Sequence, residues 1–377
     1  MTEHRMVING RKVNFNPGQT ILDVAEANNI PIPTLCHLKG TKSIGACRMC
    51  IVEVKGARDL TPSCVTPAVK GMVVNTESKK VVKTRKIILE LLLLSGNHNC
   101  AVSALGNDDW SNPQMKLPDE DGEQEICPAW GDCRLQELAY KYQVNTARYS
   151  RTDYSLYPTE LKNPLIVRDF SRCIKCWRCI KACNEVQVHQ TISYGYRGYE
   201  AKVVTIGDKP LIDSDCVFCG ECVQACPVGA LVEKKSRYVW RPWKSEKIRS
   251  TCPYCGVGCQ QWLHVQDGKI VKVTGVEGAE PNKGRLCVKG RFGYDFIYSE
   301  DRLKTPLIKE NSNFREASWD EALGLVADRF TTIIEKHGPD ALAGVSCARS
   351  INEDSYQMQK LFRAVFKTNN IDHCART

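Results

Sequence analysis

Short alternations of apolar and polar positions open the chain. Val7-Ile8 and then Lys12-Val13-Asn14-Phe15 predict two brief strands. A helical pattern from Thr20 through Asn29 carries Ile21, Leu22, Val24 and Ala25, and Pro31 and Pro33 end it. From Glu77 to Ser95, the positions Val81, Val82, Ile87, Ile88, Leu91 and Leu92 fit a second helix, with a basic face supplied by Lys79, Lys80, Lys83 and Arg85. Its most apolar part, 87–94, is less than half the ~20 residues a membrane span requires, so it predicts a core helix. Residues 103–126 are polar and turn-rich, the composition of an inserted surface excursion. Further on, Ser318-Trp319-Asp320-Glu321 starts a helix predicted to reach about His337, followed by an apolar run over 341–345 and another helical pattern after Asn352. Helix, strand, helix begins an α/β domain, and this one is expected to be truncated at Thr377, before a sheet is complete.

A length of 377 residues, at about 150 per domain, predicts two or three domains. Hydrophobic content of 42% and charged content of 25% exclude a disordered or fibrous chain. The start, Met1-Thr2-Glu3-His4-Arg5, runs into polar sequence without an apolar signal region, so the expected location is cytoplasmic, with no direct membrane span. The formal charge of +9 invites a nucleic-acid partner. The 21 cysteines change that picture. An odd count at close C-x2-C spacings is poor material for a disulfide framework and favours metal or cluster ligation.

Five groups of cysteines follow one another. Cys36, Cys47, Cys50 and Cys64 offer four thiolates suited to iron or zinc. Within Pro33-Thr34-Leu35-Cys36 and Gly45-Ala46-Cys47-Arg48-Met49-Cys50, they resemble the 2Fe-2S ferredoxin module at the front of large respiratory and hydrogenase subunits; structural zinc is the alternative. His98, Cys100, Cys127 and Cys133 join one imidazole to three thiolates. They resemble the 4Fe-4S module that follows the ferredoxin in the same subunits, except that Ser103 stands where a nearby cysteine is expected and Cys127 would replace it across the insertion. Zinc also accepts such a set.

Cys173, Cys176, Cys179 and Cys183, then Cys216, Cys219, Cys222 and Cys226 before Pro227, are two runs of C-x2-C-x2-C-x3-C. In such paired runs the last cysteine of each crosses to the other cluster, so Cys226 is expected with Cys173, Cys176 and Cys179, and Cys183 with Cys216, Cys219 and Cys222. Trp177 departs from the glycine expected between ligands, which Gly220 keeps, and suggests a more shielded first cluster.

Cys252, Cys255, Cys259 and Cys287 are spaced more widely, with Gly256 and Gly258 permitting close backbone approach. Cys252-Pro253-Tyr254-Cys255-Gly256-Val257-Gly258-Cys259 and Arg285-Leu286-Cys287-Val288-Lys289 resemble the 4Fe-4S cap of molybdopterin-guanine-dinucleotide oxidoreductases. That resemblance implies a place for Lys289 between cluster and pterin, as a cofactor-binding and electron-path residue; a solvated surface lysine is the alternative.

These sets use 19 cysteines and His98, leaving Cys347 and Cys374, which are expected to be buried and inert. Four thiolates on an oxidised core leave about −2, and three about −1, so the clusters would carry a total near −9 and cancel the basic surplus. The nucleic-acid partner is thereby excluded.

The closing stretch through Asn369-Asn370-Ile371-Asp372-His373-Cys374-Ala375-Arg376-Thr377 resembles formate dehydrogenase alpha subunits. In that family the cysteine or selenocysteine on molybdenum or tungsten comes next, so no catalytic residue is expected up to Thr377. An in-frame UGA codon read as a stop is the expected origin of this ending; TAA or TAG there would exclude it, and a fragment, a frameshift or a naturally short electron carrier are the alternatives. The implied fold class is multidomain α+β: a β-grasp 2Fe-2S ferredoxin domain over 1–78, a His/Cys-ligated 4Fe-4S domain over 79–145, a two-cluster 4Fe-4S ferredoxin domain over 146–240, a molybdopterin oxidoreductase 4Fe-4S domain over 247–304, and the start of an α/β domain over 305–377. The implied cofactors are one 2Fe-2S and four 4Fe-4S clusters, with bis-molybdopterin guanine dinucleotide in a full-length form. Flavin/NAD(P)-binding or hydrogenase redox subunits are the implied partners. Electrons would run from the pterin metal to the Cys252 cluster, then the two-cluster ferredoxin, then the His98 and Cys36 modules. A large subunit of an NADH-dehydrogenase-like complex, and a stand-alone electron carrier without an active site, are the competing functions.

Overall fold

The computed structural model describes residues 4–98, 127–144 and 157–374. It divides into two units, 1–246 with 266–271, and 247–265 with 272–377.

In the first unit, β1 (Arg5–Ile8) and β2 (Arg11–Asn14) form the hairpin that the opening alternation predicts. Met6, Ile8 and Val13 turn inward because alternate residues of a strand share a face. Thr20 caps α1 (Ile21–Ala27) reciprocally, its hydroxyl accepting from Asp23 N and the Asp23 carboxylate accepting from Thr20 N. Three more strands, β3 (Ile51–Val54), β4 (Thr61–Pro62) and β5 (Val73–Asn75), complete a sheet of order β2-β1-β5-β3-β4, in which only β1 and β5 run parallel. The buried face of α1 meets this sheet in a core that also takes in Cys50 and Cys64.

Ser78 caps α2 (Lys79–Leu94), the second predicted helix. Its Leu89 and Leu93 join Leu135 and Leu138 of α3 (Arg134–Lys141) in a second core. Arg85 does not belong to the basic face: its side chain is fully buried and lies among carbonyl and carboxylate acceptors that offset the loss of water. The expected excursion over 103–126 lies outside the described residues.

Antiparallel pairing of β6 (Ile166–Arg168) with β9 (Leu231–Glu233) clasps the two ends of the cysteine repeat together. Between them lie α4 (Arg178–Lys181), the hairpin of β7 (Ile192–Gly195) and β8 (Lys202–Thr205), and α5 (Glu221–Ala225).

A three-stranded sheet follows in the order β10 (Glu246–Thr251), β11 (Gln260–Gln266), β12 (Lys269–Gly275), and the second unit continues with α6 (Val288–Phe292) and a hairpin of β13 (Leu307–Glu310) with β14 (Asn313–Glu316). Ser318 caps α7 (Trp319–His337) as predicted. This helix buries none of its residues, and Trp319, Leu323 and Val326 of its apolar stripe are exposed. The expected strand is β15 (Gly344–Ser346) and the expected helix α8 (Asn352–Lys360); β16 (Ile371–His373) then pairs parallel with β15. Among the described residues no helix is long and apolar enough to cross a membrane.

Candidate metal centres

The first four thiols converge. The loop before β3 carries Cys47 and Cys50, with Arg48 between them in the left-handed region, and the turn after β4 supplies Cys64. Cys47 N approaches Cys36 Sγ at 3.5 Å. The Cys36 thiol is held down at about 5, chiefly because the Cys47 thiol donates to it, and the Cys47 thiol is pushed up in return. Cys50 and Cys64 form a similar couple, Cys50 lowered to about 7 by the Cys64 thiol and Cys64 raised by giving that bond. Charge on Cys36 and Cys47 also raises Cys64, so all four sulfurs share one electrostatic neighbourhood.

Two residues hold this loop, one assigned from the sequence to a basic helix face and one not singled out there. Arg85 donates from Nε to Met49 O at 3.0 Å and from Nη2 to Ile51 O at 2.8 Å, the two carbonyls on either side of Cys50. Its Nη1 donates to Glu77 Oε1 and to Tyr142 Oη, both at 2.8 Å. Lys181, buried between Cys179 and Cys183, donates from Nζ to Lys42 O in the loop that links Cys36 to Cys47. Its charge is one of the smaller influences lowering Cys36. Lys42 N donates back to Glu185 Oε2 at 3.2 Å, so the two cysteine groups are tied at this loop.

The paired runs bring their cysteines together crosswise. Cys173 is pushed up to about 11 and Cys176 to about 12, each mainly by burial, with Cys226 adding to both. Cys179 rises for the same reason, and it feels Cys176, Cys173, Cys226 and then Cys222. Cys173, Cys176, Cys179, Cys222 and Cys226 line one apolar cavity with Ile192, Val203 and Leu231. Cys216 rises through burial and then through Cys219 and Cys183. Cys176 and Cys179 are buried, whereas Cys216, Cys219 and Cys222 are partly exposed. Trp177 and Gly220 both adopt the left-handed conformation, φ 66° and 72°, at the start of α4 and α5, so the repeat keeps its backbone turn although the side chain differs. The Trp177 ring packs on Tyr194 with centroids 5.0 Å apart.

Of the mixed set, His98 is buried, Cys133 opens α3, and Cys127 Sγ accepts from Arg172 Nη1 at 3.5 Å. Cys100 lies outside the described residues. Cys47, Cys133, Cys173 and Cys226 all pack against the second core, which therefore touches four of the five cysteine groups.

In the second unit, Cys252 N donates to Cys259 O at 2.8 Å. Burial raises both thiols; Cys287 and Cys255 add to Cys252, and Cys252, Cys255 and Cys287 add to Cys259. Gly256 O accepts from Asn352 Nδ2 at 2.8 Å. A Cβ at Gly290 would come within 3.3 Å of Cys252 Sγ, so the first turn of α6 is bare where it meets the thiols. Lys289 is exposed, sits 5.6 Å from the Tyr254 ring centroid and lowers Cys252 by its charge. Cys347 and Cys374 are not buried as expected: Cys347 is half-buried and Cys374 exposed, because both stand just past the ends of short strands.

All-thiol tetrads in apolar pockets are the donor chemistry of iron–sulfur clusters. A tetrahedral zinc site instead draws four donors to about 2.3 Å of one point.

Comparison with known proteins follows the same divisions. The 2Fe-2S iron-sulfur cluster binding domain matches residues 3–79, and the ferredoxin-like domain of NADH-quinone oxidoreductase subunit 3 matches 163–232. The molybdopterin oxidoreductase Fe4S4 domain matches 245–299, and the molybdopterin oxidoreductase domain matches 302–377. The chain is 36% identical to the NADPH-Fe(3+) oxidoreductase subunit alpha of Geobacter sulfurreducens, over 98% of this chain and 40% of that protein. It is 34% identical to the second G-type subunit of the NADH-quinone oxidoreductase of Rhizobium meliloti, over 99% and 40%. It is 32% identical to a Staphylococcus aureus protein named as a formate dehydrogenase, over 100% and 39%. The chain thus spans about 40% of the length of these relatives. Its fold is similar to a chain of the NAD+-reducing NiFe-hydrogenase in the H2-reduced state, with TM-score 0.53 and 27% identity over 63% of this chain and 90% of that one.

Proposed function

Because the chain belongs to the molybdopterin oxidoreductases, with NADH-dehydrogenase-like iron–sulfur modules in front, we propose that it is the electron-relay and cap portion of a formate dehydrogenase alpha subunit. Formate oxidation, or the reverse, belongs in this proposal to the longer protein, which also binds flavin/NAD(P)-binding or hydrogenase redox subunits. Clusters carry single electrons when bound, and a bis-pterin molybdenum or tungsten centre exchanges the two electrons of formate and carbon dioxide. The chain's own residues hold and separate these groups. Cys36, Cys47, Cys50 and Cys64 hold a 2Fe-2S cluster; His98, Cys100, Cys127 and Cys133 hold a 4Fe-4S cluster. Cys226 joins Cys173, Cys176 and Cys179, Cys183 joins Cys216, Cys219 and Cys222, and Cys252, Cys255, Cys259 and Cys287 hold the cap cluster. Lys289 stands between the cap cluster and the pterin, as a cofactor-binding and electron-path residue. In the longer protein, other residues cover Trp319, Leu323 and Val326.

The crossed gathering of Cys226 with Cys173, Cys176 and Cys179 carries this reading, since it is the thiol arrangement of paired clusters. The test is iron and sulfide determination with low-temperature EPR on anaerobically purified protein carrying Cys226→Ser or Cys183→Ser. The expected result is selective loss of the cluster of the other run in each variant. Colourless protein containing zinc, or loss of each variant's own run, would overturn it. The likeness to the NADH-quinone oxidoreductase relative of Rhizobium meliloti favours a second reading, a large subunit that feeds electrons from a nicotinamide partner. Reduction of the clusters by formate in the longer protein separates the two.

A further inference from the structure

Cys347 and Cys374 belong to none of the proposed tetrads, yet their sulfurs lie 3.4 Å apart. The parallel pairing that brings this about runs Gly344 to Ile371, Val345 to Asp372 and Ser346 to His373, so Cys347 and Cys374 are the next pair in register. Neighbouring strands are about 4.8 Å apart, inside the ~4.4–6.8 Å over which Cα atoms can be bridged by a disulfide. Neither sulfur has to leave its strand end to reach the other.

The two thiols differ in their surroundings. The Ala348 N–H and then the Cys347 thiol donate to Cys374 Sγ, which draws this thiol below its ordinary value. Cys347 Sγ accepts from Arg349 N at 3.3 Å. Thus Cys374 is the readier nucleophile and Cys347 the neighbour able to resolve an adduct formed on it. Both stand at the carboxyl ends of parallel strands, where α/β sheets present their ligand-binding loops.

We propose that Cys347 and Cys374 form a reversible redox pair, a modification site separate from the iron–sulfur ligands, that closes to an intrachain disulfide on exchange with a small-molecule disulfide of the glutathione class. The Cys374 thiolate attacks one sulfur of the reagent, breaking its S–S bond and releasing one thiolate. The Cys347 thiolate, having given up its proton, then attacks the Cys374 sulfur of the mixed disulfide and releases the second. Two protein thiols are oxidised, one reagent disulfide is reduced to two thiols, and two protons pass to these leaving groups. The closed form ties the end of β15 to the end of β16.

The test uses the iron-loaded full-length protein, held anaerobically in glutathione buffers of rising disulfide content, alkylated and digested with trypsin. Cleavage after Lys336, Arg349, Lys367 and Arg376 puts the two cysteines on separate peptides, 337–349 and 368–376. The expected result is loss of two alkylatable thiols and the appearance of these peptides as one cross-linked species, reversed by dithiothreitol, with iron and sulfide content unchanged. Cys347→Ser should stop at glutathione on Cys374, whereas Cys374→Ser should leave Cys347 largely alkylatable. Full alkylation of both peptides at every buffer ratio, or cross-links from either to a cluster cysteine, would overturn the proposal. Equal glutathione uptake in the two variants would overturn the assignment of Cys374 as the attacking thiol.

Discussion

Replacing Arg85 by Met keeps most of the buried stem and removes the guanidinium, which isolates the polar contribution of a fully buried cation. Met49 O and Ile51 O each lose a donor, at 3.0 and 2.8 Å, in surroundings that Met49, 0% exposed, and Ile51, 5% exposed, keep dry. A buried acceptor left without its partner costs about 1–3 kcal/mol, so the two carbonyls together are worth roughly 2–6 kcal/mol. The ion pair to Glu77 adds less, no more than about 1 kcal/mol, because the Glu77 side chain is 41% exposed. Both orphaned carbonyls flank Cys50, so the loss should concentrate on the proposed 2Fe-2S loop. Urea unfolding followed at the 2Fe-2S visible band should show its midpoint lowered and its unfolding free energy reduced by this amount, with the other clusters retained by EPR. Arg85→Lys, which keeps the charge but cannot serve both carbonyls as a fork, should fall between. A stability loss for Arg85→Met under about 1 kcal/mol, with the 2Fe-2S signal intact, would refute the reasoning.

Lys181→Met removes a positive charge close to Cys36. A reduced cluster carries one more negative charge, so its potential should fall by roughly 40 mV, the one-electron equivalent of ~1 kcal/mol of screened attraction; redox titration monitored by EPR checks it, and an unchanged or raised potential contradicts it. His264 is held at about 3, first by burial and then by Lys272 and Lys247 on the flanking strands. Because an unfolded histidine titrates near 6.5, the unfolded chain binds the proton first as pH falls. Stability present above pH 6.5 should therefore drain away between pH 6.5 and about 3, by up to ~1.4 kcal/mol per unit. Hydrogen exchange of the β11 amides should show this slope, and His264→Gln should flatten it; equal slopes in both proteins would count against the assignment.

The thiol sets that close over short spacings were legible in the sequence because a two-residue gap leaves the chain few ways to arrange the sulfurs. The start of α7 was legible for a similar reason, since Ser318 acts on a donor only three residues away. Arg85 was not. On a helical pattern it matches Lys79, Lys80 and Lys83, and what makes its burial tolerable comes largely from Met49, Ile51 and Tyr142, distant in sequence, alongside Glu77. Cys347 and Cys374 were misplaced for a related reason: their meeting depends on the register of two strands separated by a helix, which no local pattern encodes. Trp177 was legible as an anomaly, though not as a backbone fact. The structure gives it the same left-handed turn as Gly220, at a strain of about 1–2 kcal/mol for a residue with a Cβ.

Crossed pairing of the cysteine runs has a bearing on how the protein is made. Cys173, Cys176 and Cys179 emerge from the ribosome well before Cys226, and Cys183 before its companions, while the clasp of β6 with β9 forms only after both runs are synthesised. On the proposed ligand set, neither cluster could be completed by one run alone, and a proteolytic cut between the runs would sever both sites together. In the proposed ligand set each site borrows one thiol from the other run, so neither is complete until both runs have been made.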